Sequence, residues 1–360
     1  MIDFFDPNIL KYLVFSLTGS FLLTYYLIPK IINVVNHKDL MDHPNDRSSH
    51  KHLTPTFGGI SFYVVLILML LFLGKHIDDE NISLNIIGGI TILLFTGLKD
   101  DLVVISNSSK LIGQISAVCV FLFMTDYMNF NFFGAFGLGE ISGILGFGFV
   151  LLVMLSIINS FNLIDGIDGL AASVGVINLI LFGVIYFLIE ETFFSVISFS
   201  LVGALIAFLR FNFSKDKKIF MGDTGSLILG FTVAVMSVKF LSLQVTDYER
   251  LSVAPQHAIF ILVAILVFPF FDMFRVFIYR ILNKKNPLLA DNNHTHHLLL
   301  NLGNSHTKSS ILIVVFSLVF TLILIIASSQ INNSWLLLVV YFAIFLSFYI
   351  ATVKLAPEKK

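Results

Sequence analysis

The sequence carries little charge for its length. Only 12% of its 360 residues are charged, whereas soluble domains carry about 25%. Its single cysteine, Cys119, excludes an intrachain disulfide and a cysteine-based metal cage. A formal net charge of −1 supplies no electrostatic field that would attract nucleic acid. With 57% hydrophobic residues and a mean hydropathy of +0.91, the chain is predicted to be a multi-pass membrane protein.

Long apolar runs occupy most of the chain. A helix needs about 20 apolar residues to cross a bilayer, and lipid permits only helices or closed barrels. The sequence therefore predicts an all-α integral membrane protein with about eleven transmembrane helices. No long polar linker divides it, so residues 1–360 are interpreted as one membrane domain. The predicted spans are 9–29, 58–74, 84–99, 111–126, 141–159, 171–189, 193–211, 223–243, 257–280, 310–328 and 335–353.

Basic residues predict the orientation of the chain. Most of the 22 Lys and Arg residues fall in the connections on one side, which the positive-inside rule assigns to the cytoplasm. The N-terminus is then outside and the C-terminus cytoplasmic, as an odd number of spans requires. The glycine-rich stretch NFNFFGAFGLG (129–139) is too short to span and is predicted to be a surface hairpin or an interfacial segment.

Unusual polar residues collect in the connections that this topology places in the cytoplasm. Their one-sidedness predicts an active site on the cytoplasmic face and argues against a conduction path, which needs polar groups at mid-bilayer. The segments are NHKDLMDHPNDRSSHKHLTPTFGG (36–59), GLKDD (97–101), NSFNLIDGIDGLAAS (159–173), FMGDTGSL (220–227), DMFR (272–275) and DNNHTHH (291–297).

Two adjacent aspartates end the third predicted span. Asp100 and Asp101 repel each other, and they lie where the helix dipole already disfavours anions. A cation should compensate them, either a divalent metal ion or a lysine such as Lys99 or Lys110. The alternative is an ordinary solvated helix end.

Two further aspartates, Asp165 and Asp168, are three residues apart. If residues 162–170 form a helix, the two share one face, with Cβ atoms about 5–6 Å apart. Gly166 and Gly169 would allow the backbone to approach a ligand closely. The alternative is a turn in which Asp168 caps the next helix.

Asp223 and the histidines of HTHH complete the unusual polar set. Asp223 is equally suited to capping the eighth predicted span and to facing a phosphate bound at that helix N-terminus. The histidines do not share one helix face, and no cysteine completes a zinc site; they either neutralise phosphate or form a polar interfacial loop. Because carboxylate oxygens suit Mg²⁺ and phosphoryl transfer depends on charge neutralisation, the sequence predicts a magnesium site for a phosphorylated substrate.

Taken in order, these motifs resemble those of the polyprenyl-phosphate N-acetylhexosamine-1-phosphate transferases, the membrane family that includes the phospho-N-acetylmuramoyl-pentapeptide transferase. The resemblance implies transfer of a sugar-1-phosphate from a UDP-N-acetylhexosamine to undecaprenyl phosphate at the bacterial cytoplasmic membrane, releasing UMP, with Mg²⁺ or Mn²⁺ as cofactor. It is compatible with a homodimer. The matching elements are RSSH, TPTFGG, GLKDD, KLIGQ (110–114), NSFNLIDGIDGLA, FMGDTGSLILG and DNNHTHH, which lie between residues 47 and 297.

The same resemblance implies a role for individual residues. Asp100 resembles an aspartate that deprotonates or orients the lipid phosphate, and Lys110 resembles a lysine that binds it. Phe220 resembles a residue that stacks on uracil. The predicted catalytic residues are Asp100, Asp101, Asp165, Lys110, His294, His296 and His297; the predicted metal ligands are Asp223, Asp165 and Asp100; the predicted substrate-binding residues are Asn162, Asp168, Asn212, Phe220, Arg275, Arg47 and His50.

Two features refine the expected donor. The HTHH motif differs from the three consecutive histidines of the pentapeptide transferase, and DMFR (272–275) resembles the N-acetylglucosamine branch. UDP-GlcNAc is therefore the expected donor, with the pentapeptide reaction as the alternative. A transporter for a lipid-linked or anionic solute is a further alternative, but it would show charges within spans or paired broken helices, and the sequence indicates neither. A CDP-alcohol phosphotransferase is disfavoured, because DGIDG lacks that family's downstream aspartate spacing.

Overall fold

The computed structural model describes residues 7–38, 41–42, 54–77, 82–284 and 294–355, and these residues form an almost entirely helical bundle. The all-α prediction is confirmed. The helices are α1 (Pro7–Lys38), α2 (Gly59–Ile77), α3 (Ile82–Leu102), α4 (Asn107–Phe123), α5 (Gly143–Ile164), α6 (Leu170–Leu188), α7 (Thr192–Asn212), α8 (Gly222–Leu241), α9 (Val245–Arg250), α10 (Ala258–Ile265), α11 (Val267–Leu282), α12 (Thr295–Asn301), α13 (His306–Gln330) and α14 (Ser334–Leu355). Two antiparallel hairpins pair β1 (Met41–Asp42) with β2 (Thr54–Pro55), and β3 (Phe130–Asn131) with β4 (Glu140–Ile141).

Most of these helices are suited to a membrane. In the described part of the chain, eight are long and apolar enough to cross one. The remaining predicted spans coincide with two shorter apolar helices, Gly59–Gly74 and Asn107–Phe123, and with the bent pair α10 and α11. Each predicted span thus lies on helix, which supports an integral membrane protein. The number of spans and their orientation stay predictions.

The predicted span 257–280 is not one straight helix. The two helices that replace it, α10 and α11, meet at Leu266 with a bend of 75°. Pro269 lies in the first turn of α11, where it has no N–H to offer the carbonyl of Ile265 and its ring would clash with a continuous helix. The expectation of one uninterrupted span over 257–280 is therefore wrong here, although one bent pair among the described residues is not the paired set of broken helices expected of a transporter.

The glycine-rich stretch 129–139 contributes to a hairpin, as predicted. Phe130 pairs with Ile141 and Asn131 pairs with Glu140. Gly134 has a φ of +84°, a left-handed conformation that glycine adopts without a steric penalty. This glycine lets the chain reverse between the two strands.

Helix α8 lies at the centre of the bundle and packs against α2, α3, α5 and α6. Two glycines allow its first turn to be approached unusually closely. A Cβ atom on Gly59 of α2 would lie 2.1 Å from the Gly225 nitrogen, and one on Gly97 of α3 would lie 2.4 Å from the Thr224 Cα. Because a side chain at either glycine would overlap the backbone of α8, glycine is what lets α2 and α3 hold the start of α8.

Candidate active site

Residues from five of the six polar segments predicted to share one membrane face line one cavity of about 540 Å³, and DMFR (272–275) contributes none. Its walls come from the end of α3, the start of α4, the turn between α5 and α6, and the segment that leads into α8. This convergence is what the predicted topology requires of these connections. The predicted site residues that line the cavity are Asp100, Asp101, Lys110, Asn162, Asp165, Asp168, Asn212, Phe220, Asp223 and His297.

Lys110, in the first turn of α4, bridges two of the cavity carboxylates. Its Nζ lies 3.1 Å from Asp100 Oδ2 and also donates a hydrogen bond to Asp223 Oδ1. The Asp100 carboxylate accepts a second hydrogen bond, 2.9 Å long, from the backbone N–H of Ile105. The lysine brings the ends of α3, α4 and α8 together, and it is one of the two compensating lysines that the sequence suggested.

Asn162 joins Asp223 from the opposite wall. Its Nδ2 donates to Asp223 Oδ1 and to Ser226 Oγ, the latter at 2.9 Å. One turn earlier on α5, Asn159 forms a reciprocal pair of amide hydrogen bonds with Gln114 of α4. The asparagines therefore differ in function: Asn162 borders the cavity, whereas Asn159 links two helices.

Asp101 is turned towards the backbone of α8. Its Oδ1 accepts a 2.8 Å hydrogen bond from the Asp223 N–H, and its Oδ2 accepts bonds from the Thr224 N–H at 3.1 Å and the Thr224 hydroxyl at 2.7 Å. The helix residue that precedes these donors, Gly222, has a φ of +72°. Asp101 therefore satisfies the first turn of α8, and Asp223 does not cap that helix, contrary to one of the two readings of Asp223.

Asp165 is the least compensated carboxylate in the cavity. It forms no hydrogen bond or ion pair with any other described residue. Burial, together with the negative charges of Asp223, Asp101 and Asp168, raises the pKa of the Asp165 carboxyl well above its ordinary value. A carboxylate in this position favours the approach of a cation.

The segment around Asp165 is a turn and not the helix over 162–170 that would place Asp165 and Asp168 on one face. Helix α5 ends at Ile164 and α6 begins at Leu170. Gly169, with a φ of +74°, precedes α6 and donates its N–H to Asn212 Oδ1 at 2.6 Å. The helix over 162–170, which was the condition for a shared face, is therefore not formed, and the turn that the sequence left as the alternative is present from Asp165 onwards.

Asp168 lies in an ion pair and does not cap α6. Its Oδ2 is 2.7 Å from Lys218 Nζ and 3.6 Å from His306 Nδ1. The same lysine lies over the Phe220 ring, 5.2 Å from its centroid. Lys218 and His306 were not predicted from the sequence, because they belong to segments that meet Asp168 only in the folded chain.

Asn212 links two backbone segments at this end of the cavity. Besides accepting from Gly169, it donates its Nδ2 to the Ile219 carbonyl at 2.8 Å, and its side chain is buried. Both ends of the amide are therefore occupied by backbone. Asn212 therefore connects the Gly169 and Ile219 backbones in the cavity wall. A contact between Asn212 and a nucleotide stays a prediction.

The HTHH segment is anchored by Asp272, a residue that sequence reasoning noted only as part of DMFR. Buried Asp272 contacts His294 Nδ1 at 2.6 Å and accepts the Thr295 N–H at 2.7 Å. Arg275 is 3.8 Å from the same carboxylate. Among the described histidines of the motif, His297 lines the cavity, whereas His294 is buried beside Asp272. Arg275 is buried beside the same aspartate.

His296 packs against the turn that carries Asp165. A Cβ atom on Gly166 would lie 2.2 Å from His296 Nε2. Its buried ring nitrogens have no hydrogen-bond partner among the described residues, and burial is the main cause that lowers the pKa of His296 to about 3. A neutral imidazole at this point can exchange hydrogen bonds but supplies no positive charge.

Two predicted residues, Arg47 and His50, lie outside the described residues, so their substrate-binding role stays a prediction. The neighbouring TPTFGG motif is described and supports the cavity wall: the Phe220 N–H donates to the Pro55 carbonyl at 2.7 Å, and the Gly58 N–H donates to the Phe220 carbonyl at 3.0 Å. These bonds hold the segment that leads into α8.

The donor set of the cavity fits Mg²⁺ with part of its ligands supplied by substrate. Within the described ranges, no three Asp, Glu, His or Cys side chains are arranged to enclose a metal ion. Protein-bound Mg²⁺ commonly uses only one or two carboxylates, with waters and substrate phosphates in the other positions. The unpartnered Asp165 carboxylate and the cavity-facing Asp223 suit such an arrangement.

The chain is similar to a known protein family and to individual transferases. Residues 83–241, which include most of the cavity-lining positions, match glycosyl transferase family 4. The chain is 30% identical over 324 residues to the probable undecaprenyl-phosphate N-acetylglucosaminyl 1-phosphate transferase of Bacillus subtilis (strain 168), covering 89% of this chain and 86% of the relative. It is 27% identical over 336 residues to the undecaprenyl-phosphate alpha-N-acetylglucosaminyl 1-phosphate transferase of Escherichia coli (strain K12), covering 92% and 88%.

Proposed function

The chain belongs to glycosyl transferase family 4, and on that premise we propose that it transfers N-acetylglucosamine 1-phosphate from UDP-GlcNAc to undecaprenyl phosphate. The names of its relatives support the acceptor lipid and the transferred sugar. The family predicted from the sequence motifs is confirmed. The observation that carries the proposal is the meeting of Asp100, Lys110 and Asp223 in one cavity.

The reaction is a phosphoryl transfer with a lipid nucleophile. A phosphate oxygen of undecaprenyl phosphate attacks the β-phosphorus of the donor and forms a new P–O bond. The bond from the β-phosphorus to the bridging oxygen breaks, and UMP leaves with that oxygen. The product is a lipid-linked diphosphate that carries the amino sugar. Such a reaction needs in-line positioning and charge neutralisation more than covalent chemistry from the protein.

Lys110 and Asp100 are the groups suited to the lipid phosphate. Lys110 is a cation held 3.1 Å from Asp100 at the cavity wall, so the phosphate of the incoming lipid, bound as the monoanion, competes with the aspartate for the same ammonium group. The carboxylate of Asp100 then takes up a proton from the phosphate or orients it. This division assigns binding to the lysine and positioning of the attacking oxygen to the aspartate.

Mg²⁺, when bound, would neutralise the charge that builds up on the donor diphosphate. Asp223, Asp165 and Asp100 are the carboxylates proposed to hold it. The Asn162 amide lies in direct contact with Asp223 and supplies a further hard oxygen if the amide is rotated. Mn²⁺ is expected to substitute, because it prefers the same oxygen ligands.

The other end of the cavity is proposed to bind the nucleotide. Phe220 offers an aromatic face for uracil, and Asp168 lies nearby in its pair with Lys218. The protein is proposed to lie in the bacterial cytoplasmic membrane with eleven spans, its N-terminus outside and this cavity on the cytoplasmic side, where UDP-sugars are found. That placement lets a soluble donor and a membrane lipid reach the same site.

Transfer of label tests the proposal directly. Purified protein is incubated with undecaprenyl phosphate, Mg²⁺ and UDP-GlcNAc labelled in the sugar, and the lipid fraction is counted. Label should enter lipid with stoichiometric release of UMP. Asp223→Asn should lose transfer, whereas Glu249→Gln, which alters an exposed carboxylate on α9, should keep it.

A panel of donors separates the alternatives. UDP-GlcNAc, UDP-GalNAc and UDP-MurNAc-pentapeptide are offered in turn under the same conditions. Transfer from the pentapeptide donor alone would replace the proposed reaction with that of peptidoglycan synthesis. If no donor yields labelled lipid while labelled lipid or solute crosses proteoliposome membranes, the chain is a transporter.

A further inference from the structure

The carboxylate of Asp101 is fully engaged by the first turn of α8. Three donors, the Asp223 N–H, the Thr224 N–H and the Thr224 hydroxyl, lie 2.7 to 3.1 Å from its two oxygens. A helix N-terminus leaves its first N–H groups without partners inside the helix. In α8 two of those groups, the N–H groups of Asp223 and Thr224, donate to an aspartate from another helix, 122 residues before Asp223 in sequence.

The residues at the start of α8 provide no cap of their own. The residue at the N-cap position, Met221, is buried and makes no side-chain cap hydrogen bond. The one acidic residue in the first turn, Asp223, directs its carboxylate to Lys110 and Asn162. The cap therefore comes from α3, and Asp223 is left free for the cavity.

Glycines fit this contact between α3 and α8. A Cβ atom on Gly222 would lie 2.8 Å from each carboxylate oxygen of Asp101 and 2.1 Å from the Thr56 carbonyl oxygen. One turn before Asp101, Gly97 lies against the Thr224 backbone. A larger residue at either position would push the carboxylate away from its donors.

We propose that Asp101 is a positioning residue, which fixes the backbone of Asp223 so that the Asp223 carboxylate meets Lys110, and that Asp101 is neither a base nor a metal ligand. The adjacent pair is thereby divided: Asp100 contacts Lys110, and Asp101 holds α8. The inference rests on the proposed transferase function only for its activity readout.

Replacement by asparagine distinguishes this role from a chemical one. In Asp101→Asn the Oδ1 atom can still accept the Asp223 N–H, and the new Nδ2 can donate to the Thr224 hydroxyl oxygen, so only the Thr224 N–H loses its partner. Asp101→Ala loses all three bonds. A general base, in contrast, is lost equally in both variants, because neither asparagine nor alanine can take up a proton.

The experiment compares Asp101→Asn and Asp101→Ala with the same two changes at Asp100, using initial rates of sugar-phosphate transfer by the full-length purified protein. Because Asp101→Asn can keep two of the three hydrogen bonds to α8 and Asp101→Ala keeps none, Asp101→Asn should be at least about tenfold faster than Asp101→Ala. At Asp100 the two variants should be equally slow. Equal loss in Asp101→Asn and Asp101→Ala, with both variants folded, would overturn the proposal.

Thr224→Val tests the partner side of the contact. The change removes one donor to Asp101 and keeps the side-chain shape, so it should slow the wild type about threefold and have no further effect in the Asp101→Ala background. Independent, multiplicative effects would contradict a shared cap.

Melting temperatures provide a readout that does not depend on the reaction. They should fall in the order wild type, Asp101→Asn, Asp101→Ala. If the wild type transfers no sugar phosphate, the proposed function fails. The order of the melting temperatures still tests whether Asp101 caps α8. An Asp101→Asn variant that melts as low as Asp101→Ala would refute it.

Discussion

Removing the charge of Lys110 should destabilise the protein, because several carboxylates around the cavity share that cation. The Lys110 side chain is only 15% exposed and bridges Asp100, which is 10% exposed, and Asp223, which is 31% exposed. In Lys110→Met both carboxylates keep their burial and lose their counter-charge, with Asp165 also nearby.

The expected magnitude follows from that burial. Breaking a fully buried ion pair by removing one partner costs roughly 3–5 kcal/mol, whereas a surface pair contributes about 0–1 kcal/mol. Since Asp223 is partly open to the cavity, we expect a loss near about 2 kcal/mol. In Asp223→Asn/Lys110→Met the loss should be smaller than in Lys110→Met alone, because one of the uncompensated charges is gone.

Thermal unfolding of the detergent-purified protein, followed by circular dichroism, measures this effect. The matched control is Lys99→Met, which removes an exposed lysine at the end of α3 and should leave the melting temperature unchanged. Mg²⁺ should raise the melting temperature of Lys110→Met more than that of the wild type, because a divalent cation then has no competitor. Equal melting temperatures for the Lys99 and Lys110 variants would refute the reasoning.

Two further predictions concern packing and anchoring around the cavity. Gly97→Ala should lower the melting temperature and the transfer rate, because its Cβ would lie 2.4 Å from the backbone of α8. Gly148→Ala, inside α5 with nothing within 4 Å of the added Cβ, should lower neither, because alanine favours a helix over glycine. Equal losses in the two variants would contradict the close contact. Asp272→Asn should reduce the transfer rate at least about tenfold, because it weakens two hydrogen bonds to the histidine segment 294–297. The matched control is Asp126→Asn, which changes an exposed aspartate. A rate unchanged from wild type would show that this anchor is dispensable.

The sequence predicted the elements well wherever the signal was local. Each apolar run lies on helix, and the glycine-rich stretch 129–139 contributes to a hairpin, because length, hydropathy and turn residues are properties of neighbouring positions. The 75° bend in the span 257–280 was missed. A proline inside an apolar run is compatible with both a kinked and an uninterrupted span, and packing decides between them.

Convergence of the site was also predictable, since alternating spans return alternate connections to one membrane face. The contacts within the site were not. Lys218 and His306 meet Asp168 across 50 and 138 residues of chain, and no local pattern encodes such pairs. The sequence left a helix and a turn open at 165–169, because an i, i+3 spacing suits a helix equally well when the left-handed φ of Gly169 is unknown.

The adjacent aspartates show why residue type alone does not assign a role. Neighbouring positions on a helix point about 100° apart, so Asp100 and Asp101 at the end of α3 point in different directions. In the structure one meets the ammonium group of Lys110 and the other meets the positive N-terminus of α8. Each carboxylate thus has its own compensation, which is how two acids persist at a helix end that disfavours anions. A pair that resembles a metal-binding doublet is, by this geometry, one carboxylate that contacts Lys110 and one that accepts hydrogen bonds from the start of α8.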